Sequence, residues 1–333
     1  MLANTKTRDY YLDNAKFVLI TMVILGHTIA RLGEGSFGKA IDGSVYFFHM
    51  PLFIFISGYF SKGIIDRKFW KSILLLCESL VIFEVLHILI RIFLFDFNIS
   101  WSLLIIPQWS LWYLLSLIFW RIIIALFGGN INIRYVILAI MVGVIVGFIP
   151  INGPLSFQRT FSLLPFFVLG YYMRNKRIDL TLVKKLPMAF CVIVLVAVPL
   201  CVYYCNFPFK RFLEGVNSYY EFPYPLWFSA IIRLFLYLCS LCVSVCVLRL
   251  IPTQKIAWMS SQGSKTLHYY LYHTLILYVL MYVRQSFSIP TSFMAVIGYV
   301  LFILVLIWLL IKIPLFRDLP NIVSCYLKDK HNV

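Results

Sequence analysis

Apolar stretches of about 20 residues recur along this chain, and they restrict its fold more than any other feature. A stretch of that length crosses the hydrocarbon core of a bilayer as a helix, whereas a membrane β-barrel would show short strands of alternating polarity. Charged residues make up only 13% of the 333 residues, too few to cover a soluble globule. We therefore predict an all-α fold, a polytopic integral membrane helix bundle.

The hydropathy pattern predicts about ten transmembrane helices within a single domain that covers residues 1–333. Residues 1–15 are expected to form a short N-terminal segment and residues 315–333 a C-terminal tail. Pro51 is expected to break or kink the second span. The predicted spans are 16–33, 45–61, 71–95, 109–128, 133–150, 160–174, 186–205, 226–250, 266–284 and 291–314.

Basic residues are distributed unequally between the two sides of this arrangement. If the N-terminus is cytoplasmic, 20 of the 29 Lys and Arg residues lie at the cytoplasmic side and 7 at the other side. Lys16 and Arg233 lie within or at the edge of spans. The positive-inside rule therefore predicts that both termini are cytoplasmic. Topology accounts for the net charge of +16, so nucleic acid is not expected as a partner.

Several ionisable side chains fall within the predicted spans. His27 follows Lys16 by eleven residues, which along a helix is a distance of about 16 Å. Any one such residue is often satisfied by a neighbouring helix, yet an ionisable group inside a membrane is by default a functional-site hypothesis. Together these residues predict a polar site within the bundle. The others are His49, Glu78, Glu84, His87, Arg233 and His273.

Motifs in a fixed order carry a resemblance to a known family. Lys16 and His27 resemble the [Arg/Lys]-x10-His signature in the first helix of the acyltransferase 3 family of membrane-bound acyltransferases. The segment FFHMPLFIFISGYF (47–60) is similar to that family's HMPLFFFxSG stretch. The order of motifs looks most like the branch named after fucose 4-O-acetylase, which modifies sugar hydroxyls. Further agreement comes from the basic residues Arg67, Lys68 and Lys71 and from the segments 111–121, 163–172 and 263–273.

The resemblance implies an integral membrane O-acyltransferase of the bacterial inner membrane. Its donor would be cytoplasmic acetyl-CoA, or else succinyl-CoA, and its acceptor a hydroxyl of a cell-surface glycan or of its lipid-linked precursor. A metal is not expected, since the cysteines and histidines lack the spacing of a metal site. Oligomeric state stays open, as does the side of the membrane on which the acceptor is modified.

Each candidate site residue has a chemical role in such a reaction. A neutral imidazole can accept the proton of a sugar hydroxyl, and His27 is the candidate general base. His49 would orient the acceptor or donate a proton to the thioester, unless it only bonds a neighbouring helix. Glu78 would hold the tautomer of His27 or pair with Arg67. The phosphates of acyl-CoA require cations at the cytoplasmic side. The candidates for that role are Lys16, Arg67, Lys68 and Lys71.

Two other segments have two interpretations each. Trp109 and Trp112 are typical of an interfacial aromatic belt, although some of these rings could stack on a sugar. The segment 206–225 contains Lys210 and Glu214, and it is either part of an acceptor-facing lid or a plain connection.

The sequence departs from the family pattern at two places. Lys16 stands where many members have Arg, which gives a point charge in place of a bidentate fork. No soluble esterase-like domain is expected after the last helix, so the membrane domain would complete the transfer itself or pass the group to a separate protein. The rival interpretation is a transporter or flippase, for which internal repeats would be expected and none is found.

Overall fold

The computed structural model describes residues 9–33, 35–98, 100, 105–151, 153–205, 207–287, 292–322 and 324. These residues form helices joined by turns, and no β-strand occurs among them, which confirms the prediction of an all-helical fold. Four basic residues used in the topology prediction, Lys6, Arg8, Lys328 and Lys330, lie outside the described residues. The same is true of parts of the predicted terminal segments.

The described helices follow one another along the chain as a bundle. Their bounds are α1 (Tyr10–Leu32), α2 (Ser36–Val45), α3 (His49–Phe60), α4 (Arg67–Phe95), α5 (Trp112–Leu126), α6 (Ile133–Ile145), α7 (Phe157–Asn175), α8 (Met188–Tyr204), α9 (Phe209–Leu213), α10 (Leu226–Leu250), α11 (Ala257–Gly263), α12 (Thr266–Phe287), α13 (Phe293–Leu310) and α14 (Pro314–Asp318).

Six described helical segments are long and apolar enough to cross a membrane. The helices α6, extended to Phe148, and α8 are shorter apolar segments. An integral membrane protein is therefore supported, while the count of ten crossings and the orientation of the termini stay predictions. The six segments are Tyr10–Leu32, Ser36–Phe60, Arg67–Phe95, Trp109–Leu126, Leu226–Leu250 and Phe293–Leu310.

The first helix begins earlier than the hydropathy pattern predicts. The carboxylate of Asp9 accepts a hydrogen bond from the backbone nitrogen of Leu12 at 3.1 Å, and this cap starts α1 at Tyr10. Polar residues in the first turns are buried: Asn14 donates to the carbonyls of Pro252 and Gln254 at 2.9 and 2.8 Å. Lys16 therefore lies in the second turn of a helix, about 9 Å from its start.

The second predicted span, 45–61, contains α3, and the apolar segment in the structure begins earlier, at Ser36, with α2. The break between α2 and α3 covers residues 46–48 and lies immediately before His49, whereas the sequence pointed to Pro51. Pro51 is instead the third residue of α3, in the first turn, where a missing backbone N–H costs little. The carbonyl of Val45 at the end of α2 is left available to side chains, and His49 uses it.

Helices α3 and α7 approach each other very closely. A Cβ atom added to Gly58 would lie 2.0 Å from the carbonyl oxygen of Phe167, and one added to Gly170 would lie 2.0 Å from that of Phe55. Small residues at a helix crossing allow such contact between backbones, as is common in membrane bundles. This crossing fixes the position of α3 relative to α7.

We call the side of the bundle at which α1 begins the N-terminal side and the side at which it ends the opposite side. By chain order, α4 begins at the N-terminal side, and the turn between α6 and α7 lies at the opposite side. The short helix α9 also lies there, between the end of α8 and the start of α10. The two sides carry different groups of candidate site residues.

Candidate functional site

A cavity of about 400 Å³ lies toward the opposite side of the bundle. We call it the histidine cavity because His27 of α1 and His49 of α3 both line it. The break between α2 and α3 brings His49 to this depth, and the sequence prediction placed both histidines at a similar height. Other lining residues are Arg31, Tyr46, Met50, Trp109, Trp112, Arg159, Leu163, Lys210, Leu213 and Glu214.

A third histidine stands beside His27. The ring centroids of His27 and His273, from α12, are 5.3 Å apart. The Nδ1 of His273 lies 2.7 Å from the carbonyl oxygen of Tyr270 and 3.0 Å from that of Tyr269. Since a carbonyl can only accept, Nδ1 carries the hydrogen, and in the neutral ring Nε2 has a free lone pair. That Nε2 is buried and has no hydrogen-bond partner among the described residues.

His49 is held in the same tautomer. Its Nδ1 lies 2.6 Å from the carbonyl oxygen of Val45 and donates to it, while the ring meets Tyr46 edge to face at a centroid distance of 4.7 Å. The Nε2 of a neutral His49 is consequently an acceptor, and after protonation it becomes a donor. His49 is 3% exposed, so its orientation is fixed by packing and by this bond.

Trp109 and Trp112 both belong to the wall of the histidine cavity. The ring of Trp109 lies edge to face against His27 at a centroid distance of 5.6 Å. The guanidinium of Arg31 lies 4.7 Å from the centroid of Trp109, and that of Arg159 lies 4.9 Å from the centroid of Trp112. Apolar rings of this kind beside polar groups are suited to stacking on the face of a sugar, which favours one of the two interpretations left open by the sequence.

A polar network holds the segment that carries Trp109. The carboxylate of Glu84 accepts from the backbone nitrogen of Gln108 at 3.0 and 3.1 Å, and Arg91 donates to the side-chain oxygen of the same glutamine. Trp109 itself has a φ of 40°, a conformation that is unfavourable for a bulky residue unless its surroundings impose it. Glu84 and Arg91 therefore position Trp109 against His27.

Helix α9 contributes a charged cluster to the cavity. Lys210 lies 2.6 Å from the buried carboxylate of Asp42 and 3.8 Å from that of Glu214. Its ammonium also lies 4.9 Å from the ring centroid of Tyr46. The described residues 207–225 thus supply part of the cavity wall, through Lys210, Leu213 and Glu214, which favours the lid-like interpretation over a plain connection.

A second cavity, of about 220 Å³, contains the basic residue of the first motif. We call it the lysine cavity, and Lys16, Ser57, Tyr113 and Tyr270 are among the residues that line it. Lys16 pairs with Asp13 at 2.8 Å, and its ammonium lies 5.1 Å from the ring centroid of Phe60. One end of this cavity is therefore charged, and its lining between the helices is mostly apolar.

Aromatic residues lie between the two cavities. The rings of Tyr113 and Tyr270 are 5.4 Å apart, and Tyr270 is 6.1 Å from His273, the neighbour of His27. The hydroxyl of Tyr113 is hydrogen-bonded to Ser57 at 2.6 Å, and that of Tyr270 donates to the carbonyl of Ser110. We call Tyr113 and Tyr270 the aromatic partition. Through Tyr270 and His273, the lining of the lysine cavity is thus in ring contact with His27 of the histidine cavity.

The remaining sequence candidates lie elsewhere. Glu78 accepts hydrogen bonds from the backbone and the hydroxyl of Ser324 at 3.2 and 2.6 Å and does not line either cavity. Arg67, Lys68 and Lys71 are exposed in the first turns of α4, on the same side as the start of α1. Among the described residues, no group of three or more His, Cys, Asp or Glu side chains could hold a metal ion.

Sequence reasoning did not select two residues that the structure places in or beside the histidine cavity. In the sequence, Arg159 is only one of the 7 basic residues predicted at the non-cytoplasmic side, and His273 is only one of several ionisable groups within the spans. His273 ends the segment GSKTLHYYLYH (263–273), which is one of the motifs shared with the family, and that motif is the signal that could have identified it. Arg159 carries no comparable signal.

Comparison with known proteins supports a single family. The family model described as an acyltransferase domain matches residues 9–312. The nodulation protein NolL of Mesorhizobium japonicum is 49% identical over 70 residues, which are 20% of this chain and 19% of that protein. NolL of Sinorhizobium fredii is 39% identical over 69 residues, with the same shares. Each match thus covers about a fifth of the curated relative. No solved structure matches the chain.

Proposed function

This chain belongs to the acyltransferase family whose model spans it, and we propose that it is a membrane O-acyltransferase that moves an acetyl group from acetyl-CoA to a hydroxyl of a glycan. One observation carries the proposal. The aromatic partition lines the lysine cavity and contacts His273, and His273 is the neighbour of His27 in the wall of the histidine cavity. Such an arrangement allows a donor and an acceptor to approach one reaction centre from different sides.

The lysine cavity suits the acyl donor. An acyl-CoA molecule combines a charged nucleotide end with a thin, uncharged pantetheine arm, and the lysine cavity combines Lys16 with a largely apolar lining. Arg67, Lys68 and Lys71 are exposed on the same side and are proposed to bind the phosphates. This assignment implies that the N-terminal side faces the cytoplasm, where acyl-CoA is made, and agrees with the positive-inside rule.

The histidine cavity suits the acceptor. Its two tryptophans offer apolar faces to a sugar ring, and its polar groups offer hydrogen bonds to hydroxyls. In the proposed reaction, the thioester end of the donor reaches past Tyr113 and Tyr270 to the acceptor. His27 takes the proton of the acceptor hydroxyl as the hydroxyl oxygen attacks the thioester carbonyl carbon. The acceptor then is a glycan of the cell surface or its lipid-linked precursor, in the inner membrane of a bacterium.

The second half of the reaction returns the proton. The tetrahedral intermediate collapses, the carbon–sulfur bond breaks, and the leaving sulfur takes the proton from the imidazolium of His27, which gives the ester and free coenzyme A. The Nε2 of His273 has no hydrogen-bond partner among the described residues, and its ring lies next to that of His27. We propose that this Nε2 accepts a hydrogen bond from the N–H of His27 and so sets the tautomer of His27. His49 is proposed to hold the acceptor through its Nε2. A direct role for Glu78 has less support, because Ser324 occupies its carboxylate.

Mass spectrometry of the surface glycan provides the test. A deletion strain would be complemented with the wild-type gene, with His27→Ala or with His268→Gln. His268 is a matched control, because it lies on the same helix as His273 but bonds the carbonyl of Arg317 and lines neither cavity. We expect the mass increment of an acetyl group with wild type and His268→Gln and its loss with His27→Ala at equal membrane expression.

Two results would contradict the proposal. Full acetylation with His27→Ala would remove His27 as the base. A glycan that is unmodified in every strain and changes only in amount would indicate transport or flipping instead of acyl transfer. An increment with the mass of a succinyl group would keep the reaction class and change the donor.

A further inference from the structure

The cations of the histidine cavity are not balanced by its acids. Arg31, Arg159 and Lys210 line the cavity, and Glu214 is the one carboxylate among the lining residues. Lys210 is already paired with Asp42 at 2.6 Å and with Glu214 at 3.8 Å. Two guanidinium groups therefore remain at the cavity with no carboxylate partner among the described residues.

The two arginines differ in their surroundings. Arg31 is exposed at the end of α1, where water can solvate it. Arg159 is half-buried at the start of α7, and its Nε is fully buried with no hydrogen-bond partner among the described residues. A guanidinium nitrogen that is buried without a hydrogen-bond partner is unfavourable, so this group is expected to find its partner in a ligand.

The position of Arg159 on its helix strengthens this expectation. It is the third residue of α7, and the first turn of a helix already carries a partial positive charge from the backbone. A cation there is repelled unless an anion is close. The guanidinium carbon lies 4.9 Å from the ring centroid of Trp112, and the hydrogen-bond fork of an arginine matches planar and tetrahedral oxyanions.

We propose that the histidine cavity selects an acceptor that carries an anionic group and that Arg159 binds this group. The anion is either the carboxylate of an acidic sugar or the phosphate of a lipid-linked sugar. The donor is an unsuitable source, because its phosphates are assigned to the lysine cavity beyond the aromatic partition and its thioester is uncharged. The inference rests on the proposed function and adds the class of acceptor to it.

Binding of small probes to the purified full chain in lipid nanodiscs tests the inference without any acyl donor. The probes are methyl β-glucuronide for the carboxylate, glucose 1-phosphate for the phosphate and methyl β-glucoside as the neutral reference. In wild type, we expect at least one anionic probe to bind about 10- to 100-fold more tightly than the glucoside by calorimetry, the range typical of a charged hydrogen-bonded contact. The stronger of the two anionic probes identifies the source of the anion.

Three variants separate Arg159 from the general charge of the surface. Arg159→Gln should abolish the preference for the anion, and Arg159→Lys should retain part of it, since the charge stays while the fork is lost. Arg211→Gln removes one positive charge from α9, at the same side of the bundle as the start of α7, and Arg211 is exposed and does not line the cavity. This control should leave the preference unchanged.

Several results would overturn the inference. These are equal binding of all three probes to wild type, a preference that persists in Arg159→Gln, and an equal loss in Arg211→Gln. A further one is a drop in kcat for Arg159→Gln that is the same for neutral and anionic acceptors, which would place Arg159 at the acyl carbonyl. Acetyl transfer without any anion preference refutes the inference alone, whereas anion binding without transfer from acetyl-CoA refutes the proposed function alone.

Discussion

Replacement of Gly58 by alanine should displace the wall of the histidine cavity. The new methyl group would lie 2.0 Å from the carbonyl oxygen of Phe167, and ordinary contact begins at 3.4 Å. A local separation of α3 and α7 by 1.4 Å (3.4 − 2.0) restores ordinary contact. Because α3 carries His49 and α7 carries Arg159, the displacement acts on two sides of the site at once.

The expected effects concern both stability and activity. Overpacking of a tight interface costs about 1–3 kcal/mol in the free energy of unfolding, and a misplacement of about 1 Å at a reaction centre can lower the rate about 100-fold. The unfolding temperature of the detergent-purified protein measures the first effect, and acetyl transfer to the surface glycan at equal expression measures the second. Gly170→Ala, on the other helix of the same crossing, should behave alike.

Gly298→Ala is the matched control for this experiment. Gly298 lies in α13, and no atom lies within 4 Å of the position of its added Cβ. The alanine there should be neutral or slightly stabilising, since alanine favours a helix more than glycine does. If Gly58→Ala is as stable and as active as Gly298→Ala, the close crossing does not set the cavity geometry, and the reasoning is refuted.

Three further predictions concern single polar contacts. Lys16→Gln should raise the KM for acetyl-CoA about 5- to 10-fold through loss of a charged contact and leave the KM for the acceptor unchanged; equal changes in both would contradict its place in the donor cavity. Asp42→Asn should weaken the ion pair with Lys210 and raise the KM for the acceptor. A double-mutant cycle with Lys210→Gln should show a coupling energy of about 1–3 kcal/mol, and additive effects would show that the two side chains do not interact. Glu84→Gln should release the segment of Trp109 and lower the unfolding temperature and kcat together, and an unchanged kcat would show that this network only stabilises the fold.

The fold was predictable from the sequence where hydropathy alone decides. Apolar length identified an all-helical membrane bundle because each crossing helix must satisfy its backbone groups internally. The start of α1 was not visible, since Asp13 and Asn14 are buried polar residues. Asp13 pairs with Lys16 on the same helix, and the partners of Asn14 lie far along the chain, at α11 and the turn before it. Hydropathy assigns such residues to a loop, although the protein interior accommodates them.

The depth of the candidate site residues along their helices was predictable from the sequence, but the direction in which each side chain points was not. Counting residues along helices placed His27 and His49 at a similar depth, and the structure places both in one cavity. The same counting cannot tell which way a side chain points around its helix. Glu78 therefore turned out to face Ser324 instead of the histidines, and Arg159 was not recognised because its partner-free Nε is a property of the packed structure.

The aromatic partition has an electrical consequence for the proposed reaction. If the nucleotide end of the donor lies on one side of Tyr113 and Tyr270 and the acceptor on the other, each turnover moves an acetyl group, formally an acyl cation, outward. It also moves one proton inward, onto the thiol of coenzyme A. The two transfers carry equal formal charge in opposite directions, so their sum is electrically neutral. The membrane potential would then neither drive nor oppose acetylation. The free energy of thioester cleavage alone would drive acetylation of an acceptor on the opposite side of the bundle. A continuous water path between the cavities would let ions cross the membrane and dissipate its potential. The rings of Tyr113 and Tyr270 stand in the way of such a path.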